Sequence, residues 1–368
     1  MKIERANLYH LSMPLRSAFE TSFGRIEERE CILVEIYCQG VVGYGECTAD
    51  KYPGYSYETT TTAWHVLHDC LLPAVSGVEI IEPGEIQSFM RSVRGHRLAK
   101  AALEMALWDV WGKQLNLPLT SLLGGVRPKV AVGVSVGIQH SADALLGVVE
   151  QYLQQGYGRI KIKIKPGQDV VEIQRLRRAY PEIKLQVDAN SAYTLDSALT
   201  LLPLDDLNLL MIEQPLAEDD LWDHSRLQPL FKTPICLDES ILEARHARQA
   251  LEMGAARIIN IKSARVGGLS EAKAIHDLCY QAGIPVWCGG MLETGVGRAA
   301  NLALAALPGF TLPGDISATE RYYSQDITHE RFELNPDSTI DVPGASGLGV
   351  TLDQSSLARF TLNTLHYS

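Results

Sequence analysis

From residue 129 onward, short apolar runs rich in Val and Ile recur at intervals of roughly 25 residues. They are "KVAVGVSVGI" (129–138), "RIKIKI" (159–164), "KLQVDAN" (184–190) and "LLMIEQP" (209–215), then "PICLDES" (234–240), "RIINIKS" (257–263), "IPVWCGG" (284–290) and "FTLPGDIS" (310–317). Helical patterns separate them. "ADALLGVVEQYLQQG" stops at Gly156, "ARHARQALEMG" at Gly254 and "EAKAIHDLCYQAG" at Gly283, each glycine a helix stop. Near-continuously apolar strands alternating with helices predict a parallel sheet covered by helices, the α/β class. Eight such units closing on themselves predict a (β/α)8-type TIM barrel. The alternative, an open doubly wound sheet, is weakened by the missing glycine fingerprint after its first strand.

The preceding residues follow another pattern. "KIERANLYHL", "CILVEIYC" and "VVGYGEC" read as strands of an antiparallel meander, and "HRLAKAALEMALWDVWGKQLN" predicts a helix over 96–116. Strands followed by helices indicate an α+β unit. The chain thus divides into an α+β unit over 1–125, a barrel over 126–319 and a tail over 320–368. The tail has no barrel repeat and is expected to pack against the N-terminal unit.

Composition narrows the function classes. Lys and Arg number 33 against 44 Asp and Glu, a formal charge of -11, which argues against nucleic-acid binding. No apolar run approaches the roughly 18–20 residues needed to span a bilayer, so no membrane partner is expected. The N-terminal stretch has charges at Glu4 and Arg5 and no apolar signal core. Seven cysteines never form C-x-x-C and several sit in apolar runs, as small core residues do. A cytoplasmic protein with reduced thiols is expected. Nothing in the pattern excludes a homo-oligomer.

The chemistry sits at the ends of the predicted strands. "VDAN" places Asp188 at the end of strand 3, "IEQP" places Glu213 on strand 4, and "LDES" places Asp238 on strand 5. Barrel enzymes build their active sites at this face. Adjacent strands lie about 4.8 Å apart, so three neighbouring carboxylates can converge. Any one of them could instead cap the following helix. Together they carry a charge of about -3, which calls for a cation or shared protons. An oxygen-only set suits Mg²⁺, or Mn²⁺ as a substitute, better than zinc.

"RIKIKIKPG" (159–167) puts Lys161, Lys163 and Lys165 on one face of strand 2, and "INIKSAR" puts Lys262 on strand 6. In an eight-stranded barrel those strands are opposite, with the acidic strands in the arc between. One lysine on either side of a metal-held carboxylate can remove an α-proton, while the cation stabilises the enediolate that forms. A base must be neutral. An ordinary lysine with a pKa of about 10.4 resists this by about 4.6 kcal/mol at pH 7. The ammonium of Lys161 is expected to help, by disfavouring charge on Lys163.

These residues, in this order, resemble the muconate-lactonizing branch of the enolase superfamily. "RIKIKIKPG" and "PVWCGGMLETGVGRAANLALAALPGFTLPGDIS" closely resemble its o-succinylbenzoate synthase and N-succinylamino acid racemase family. The resemblance covers essentially the whole chain. It implies a modified (β/α)7β TIM barrel with an α+β capping domain built from the N-terminal unit and the tail. It implies Lys163 as the base, Asp188, Glu213 and Asp238 as Mg²⁺ ligands, and Lys262 as the opposite partner, with Lys161 and Asn190 in support. It further implies a small-molecule carboxylate substrate, and a place in menaquinone biosynthesis as an o-succinylbenzoate synthase. That enzyme carries out syn dehydration of 2-succinyl-6-hydroxy-2,4-cyclohexadiene-1-carboxylate; racemisation of an N-succinylamino acid is the alternative. The dipeptide epimerases of the family carry Asp-x-Asp on strand 8, where "PGDIS" has Asp315 alone.

Two polar segments, 17–28 and 48–58, are expected as lid loops. Phe23, Tyr52 and Tyr55 in them are candidates to wall the apolar part of a substrate. Ser135, Gly290, Met291 and Glu293 are further substrate-binding candidates, with "GGMLETG" giving room for a succinyl group. Arg265, three residues beyond Lys262, is expected to lower the Lys262 pKa and favour a neutral second base. The rival chemistry, a Schiff-base lyase with Lys262 as nucleophile, has no task for three converging carboxylates. Another cycloisomerase of the muconate-lactonizing type shares all of the metal-site features.

Overall fold

A computed structural model describes residues 1–368. Strands β1 (Arg5–Thr21), β2 (Gly24–Cys38) and β3 (Val41–Cys47) form the antiparallel meander. The β1–β2 hairpin runs from the pair Arg5 and Tyr37 to the pair Thr21 and Gly24. The segment 17–28 is therefore largely paired strand with a two-residue tip at Ser22 and Phe23, and not a free loop. The helix Arg97–Leu115 crosses this sheet and is buried along most of its length. Gly45 on β3 allows the close approach: a Cβ there would lie 2.9 Å from the carbonyl carbon of Ala102.

The apolar run 129–138 splits in two. β4 (Lys129–Ala131) leaves the barrel, and β5 (Val134–Val136) is the first barrel strand. β6 (Arg159–Lys163), β7 (Lys184–Asp188), β8 (Ile212–Glu213), β9 (Ile235–Leu237), β10 (Ile258–Ile261) and β11 (Val286–Cys288) follow in sequence order, parallel throughout. Seven strands form, where eight regular ones were expected. The eighth apolar run closes the ring only through single bridges, Phe310 to Val286 and Gly314 to Val132. Pro313 accounts for this, since it brings no N–H to a ladder.

In the tail, β12 (Thr339–Asp341) pairs with β4, and β13 (Thr361–Tyr367) pairs antiparallel with the outer side of β1. The C-terminal residues thus extend the N-terminal sheet, whose order is β13-β1-β2-β3. One hydrophobic core fills the barrel and its helices, and a second lies within the N-terminal unit. No helix is long and apolar enough to cross a membrane. All seven cysteines are free.

Buried acids on the N-terminal unit dock it to the barrel. Glu46, on β3, accepts from the backbone N–H of Thr294 and Gly297 and from the Thr294 hydroxyl at 2.6 Å, at the start of the helix Gly295–Ala305. Glu104 accepts from the backbone N–H of Ser270, at the start of the helix Leu269–Gln281. Burial pushes the Glu46 carboxyl up to about 7, although the donors around it pull the other way. Its folded pKa lies above the unfolded value, so as pH rises the unfolded chain gives up this proton first. The stability this group contributes is present below about 4.5 and lost by about 7, a change on the order of 3 kcal/mol. Glu46→Gln carries no such titration. Its thermal midpoint, followed by circular dichroism, is expected to vary less than that of the wild type between about pH 5 and pH 8.

Candidate active site

Strand alternation turns the odd-numbered residues of β6 into the barrel, and each meets carboxylates. Lys163 lies opposite Asp188 in the β6–β7 register, and Asp188 lies opposite Glu213 across β7 and β8. Lys163 Nζ donates to Asp188 Oδ2 at 2.7 Å and to Asn190 Oδ1 at 2.6 Å. Lys161 reaches Asp188 and Glu213 at 2.9 Å each and Asp315 at 2.6 Å. Four strand positions away from β6, just beyond β10, Lys262 Nζ donates to Asp238 Oδ2 at 2.7 Å and to the Tyr55 hydroxyl at 3.0 Å.

Asp188, Glu213 and Asp238 are fully buried at the ends of three adjacent strands. Their fields act on one another, which shows in their titration. Burial raises the Glu213 carboxyl well above its usual value, and Asp188 adds to this. Asp188 and Asp238 are held down despite burial, the first by Lys161 and Lys163 and the second by Lys262 and Arg265. The three do not stand as a ready set of metal ligands. Each has oxygens turned toward a neighbouring ammonium, guanidinium or amide, as Glu213 Oε1 is toward Asn260.

A cavity of about 240 Å³ lies over this group, with Lys163 and Lys262 both on its wall. Ser135, Gly290 and Met291 line it from the barrel, and Phe23, Tyr52 and Tyr55 from the N-terminal unit. The Ser135 hydroxyl is buried with no partner in the protein. Gly290 needs to be glycine, since a Cβ there would lie 2.7 Å from the Asp315 carbonyl oxygen.

Three sequence-based expectations need correction. Glu293 does not face the cavity; its carboxylate turns back to the Met291 N–H and the Asn301 amide and braces the loop. Lys165 does not share the inward position of Lys161 and Lys163, because β6 ends at Lys163 and Lys165 sits half-exposed near Glu20. Arg265 does not hold Lys262 neutral. Its guanidinium pairs with Asp238 and donates to the backbone oxygens of Ile241 and Asn260. Burial lowers the Lys262 pKa, but Asp238 outweighs it and the amine is pushed above its usual value. Lys161 is likewise held protonated by Asp188, Asp315 and Glu213 against burial, so its charge beside Lys163 is fixed.

Two groups escaped the sequence reading. Arg159, fully buried, donates to Asp315 Oδ1 at 2.6 Å, while Lys161 takes Oδ2. Both oxygens of Asp315 are thereby spent on cations. Arg159 precedes Lys161 by two residues, so the alternation that marked the lysines marks it too. Glu239 follows Asp238 directly, and its buried carboxyl is pushed up to about 7 by burial and by Asp238.

The geometry has counterparts among known proteins. The family described as mandelate racemase / muconate lactonizing enzyme, N-terminal domain, matches residues 5–124, and the enolase C-terminal domain-like family matches residues 144–356. The chain belongs to the enolase superfamily. Within this superfamily it is 52% identical over 362 residues to an o-succinylbenzoate synthase of Geobacillus kaustophilus, covering 98% of this chain and 96% of that one. It is 48% identical over 362 residues to an N-succinylamino acid racemase of Thermus thermophilus, covering 98% of each. A crystal structure of an enolase-superfamily member from Listeria innocua superimposes with a TM-score of 0.96 at 42% identity, covering 100% of this chain and 99% of that one.

Proposed function

We propose that this protein is an o-succinylbenzoate synthase that dehydrates 2-succinyl-6-hydroxy-2,4-cyclohexadiene-1-carboxylate. The observation that carries the reading is the pair of lysines on opposite arcs of one cavity, Lys163 against Asp188 and Lys262 against Asp238, with Glu213 between. The identity to synthases over nearly the full chain supports it.

In this reading the neutral Lys163 amine takes the proton α to the ring carboxylate. The electron pair left behind moves onto the carboxylate as an enediolate, then returns to expel hydroxide from the neighbouring carbon. The Lys163 ammonium gives its proton to that hydroxide, so one residue serves both ends of a syn elimination and water leaves. Lys262 stays cationic throughout, in keeping with its raised pKa, and offsets the negative charge on the substrate oxygens.

Asp188, Glu213 and Asp238 fit a hard divalent cation, since all their donors are oxygens and they stand at the ends of three adjacent strands. They would hold Mg²⁺, with Mn²⁺ as a substitute. When bound, the ion supplies positive charge to the substrate carboxylate, which acidifies the α-hydrogen.

A second reading, racemisation of an N-succinylamino acid, is favoured by the placement of Lys262 and by the racemase relatives. There Lys262 would exchange a proton on the other face, and one site could serve both reactions. The charge of Asp315 is already offset by Arg159 and Lys161, which weakens its pull on a free α-ammonium and suits an acylated or hydroxyl-bearing substrate. The test is a direct assay of the purified protein with Mg²⁺ on the cyclohexadiene carboxylate and on N-succinylamino acids, the latter followed by α-exchange in deuterated water. Turnover of the first supports the synthase. Exchange without dehydration would replace it with the racemase.

A further inference from the structure

Lys163, the base of the proposed reaction, is held by two acceptors, and one of these has a partner of its own. Asn190 takes the Lys163 N–H on Oδ1 at 2.6 Å and donates from Nδ2 to Glu239 Oε1 at 2.8 Å. Its backbone N–H donates to Asp188 Oδ1 at 3.0 Å, and its backbone oxygen accepts from Ser22, at the tip of the β1–β2 hairpin, at 3.2 Å. Asn190 and Ser191 both occupy the left-handed region, with φ of 42° and 62°. That geometry turns the chain at the end of β7 and aims the amide at β6. Glu239 is 8% exposed, and its second oxygen, Oε2, has no partner in the protein. It borders a further cavity of about 350 Å³ on the other side of Tyr55.

A primary amide can face either way, and chemistry decides which. With its oxygen toward Lys163 and its NH₂ toward Glu239, both ends are satisfied. Reversed, the NH₂ would meet an amine and the oxygen would meet a carboxylate. Glu239 Oε1, which accepts from Nδ2, therefore favours the observed orientation. The orientation matters because a neutral lysine has two N–H bonds and one lone pair. Asp188 Oδ2 and Asn190 Oδ1 take the two N–H bonds, which leaves the lone pair directed at the cavity. After proton abstraction the same two acceptors hold the ammonium.

We propose that Glu239 is a positioning residue that acts through Asn190: it fixes the amide so that its oxygen faces Lys163 and the amine's lone pair faces the substrate. This rests on Lys163 being the base. Glu239 touches neither Lys163 nor any atom that reacts.

The test compares Glu239→Leu, which removes the acceptor, with Glu239→Gln, whose amide oxygen can still accept from Asn190. For Glu239→Leu, kcat on whichever substrate the wild type turns over is expected to fall roughly ten- to a hundredfold. KM and the Mg²⁺ concentration for half-maximal activity are expected to stay within about twofold. Glu239→Gln is expected to keep kcat within about threefold of the wild type. A crystal structure of Glu239→Leu is expected to show the Lys163 Nζ displaced from Asp188 and Asn190.

An unchanged kcat in Glu239→Leu overturns the proposal. So does an equal fall in both variants, which would make the charge and not the hydrogen bond the cause. So does a raised Mg²⁺ requirement at unchanged saturating kcat, which would assign Glu239 to the ion. The structure reads the position of Lys163 whatever the substrate. If the wild type turns over neither substrate class, the functional reading fails, and Lys163 Nζ in place without Glu239 still overturns the positioning.

Discussion

Replacing Lys163 with alanine is expected to lower kcat by at least about 10²–10⁴-fold, the span attributed to a positioned general base. The substitution removes the only amine that contacts both Asp188 and Asn190. Asp188 and Glu213 each keep a cation, because Lys161 still pairs with both. KM should therefore change far less than kcat, the signature of an interaction made in the transition state. The companion substitution Lys262→Ala separates the two readings. In a racemase, loss of either lysine stops exchange of only the enantiomer whose α-hydrogen faces that lysine. In a synthase, loss of Lys262 removes a charge that stabilises the intermediate, while proton abstraction by Lys163 continues at a reduced rate. Single-turnover exchange in deuterated water, measured from each enantiomer, distinguishes these outcomes. Exchange that persists unchanged from both enantiomers in Lys163→Ala would remove this residue from the mechanism.

Exhaustive removal of divalent ions with EDTA is expected to reduce activity below about one thousandth, with recovery on adding Mg²⁺ or Mn²⁺ but not Ca²⁺ at matched concentration. The buried carboxylates are the reason. Asp188, Glu213 and Asp238 have no exposed surface, and their three charges are met in the protein by Lys161, Lys163, Lys262 and Arg265. Without added positive charge, Lys163 and Lys262 remain tied to Asp188 and Asp238. Full activity in EDTA would favour Schiff-base chemistry at Lys262, which borohydride trapping with substrate would then reveal.

Much of this was visible in local order along the chain. Strand alternation in "RIKIKIKPG" turns Lys161 and Lys163 inward, because side chains in a strand have a period of two whatever the rest of the protein does. The spacing of the apolar runs placed Asp188, Glu213 and Asp238 at successive strand ends, and the β7–β9 pairings bring those ends side by side. The helix predicted over 96–116 forms as Arg97–Leu115, and Asn116 ends it in the left-handed conformation.

Other features depended on partners far away in sequence. Lys165 shares the parity of Lys161 and Lys163, yet β6 ends before it, because strand length is set by what the neighbouring strands can pair. The eighth apolar run looked like its seven predecessors, and only closure of the ring showed how little of it can join the ladder beside Pro313. Glu293 sits in a glycine-rich stretch that does reach the cavity, but the Met291 N–H and Asn301 capture its carboxylate. Arg265 is near Lys262 in sequence, but the carboxylate of Asp238 lies between their charges and binds both.

The residues that titrate and bind were thus settled by short-range periodicity, since the order of side chains on a strand is a covalent fact. Which of their charges survive, and which cancel, was settled by packing. A carboxylate at one strand end meets cations from another strand only once the sheet has formed, and the energy of each pair depends on distances that no local pattern contains.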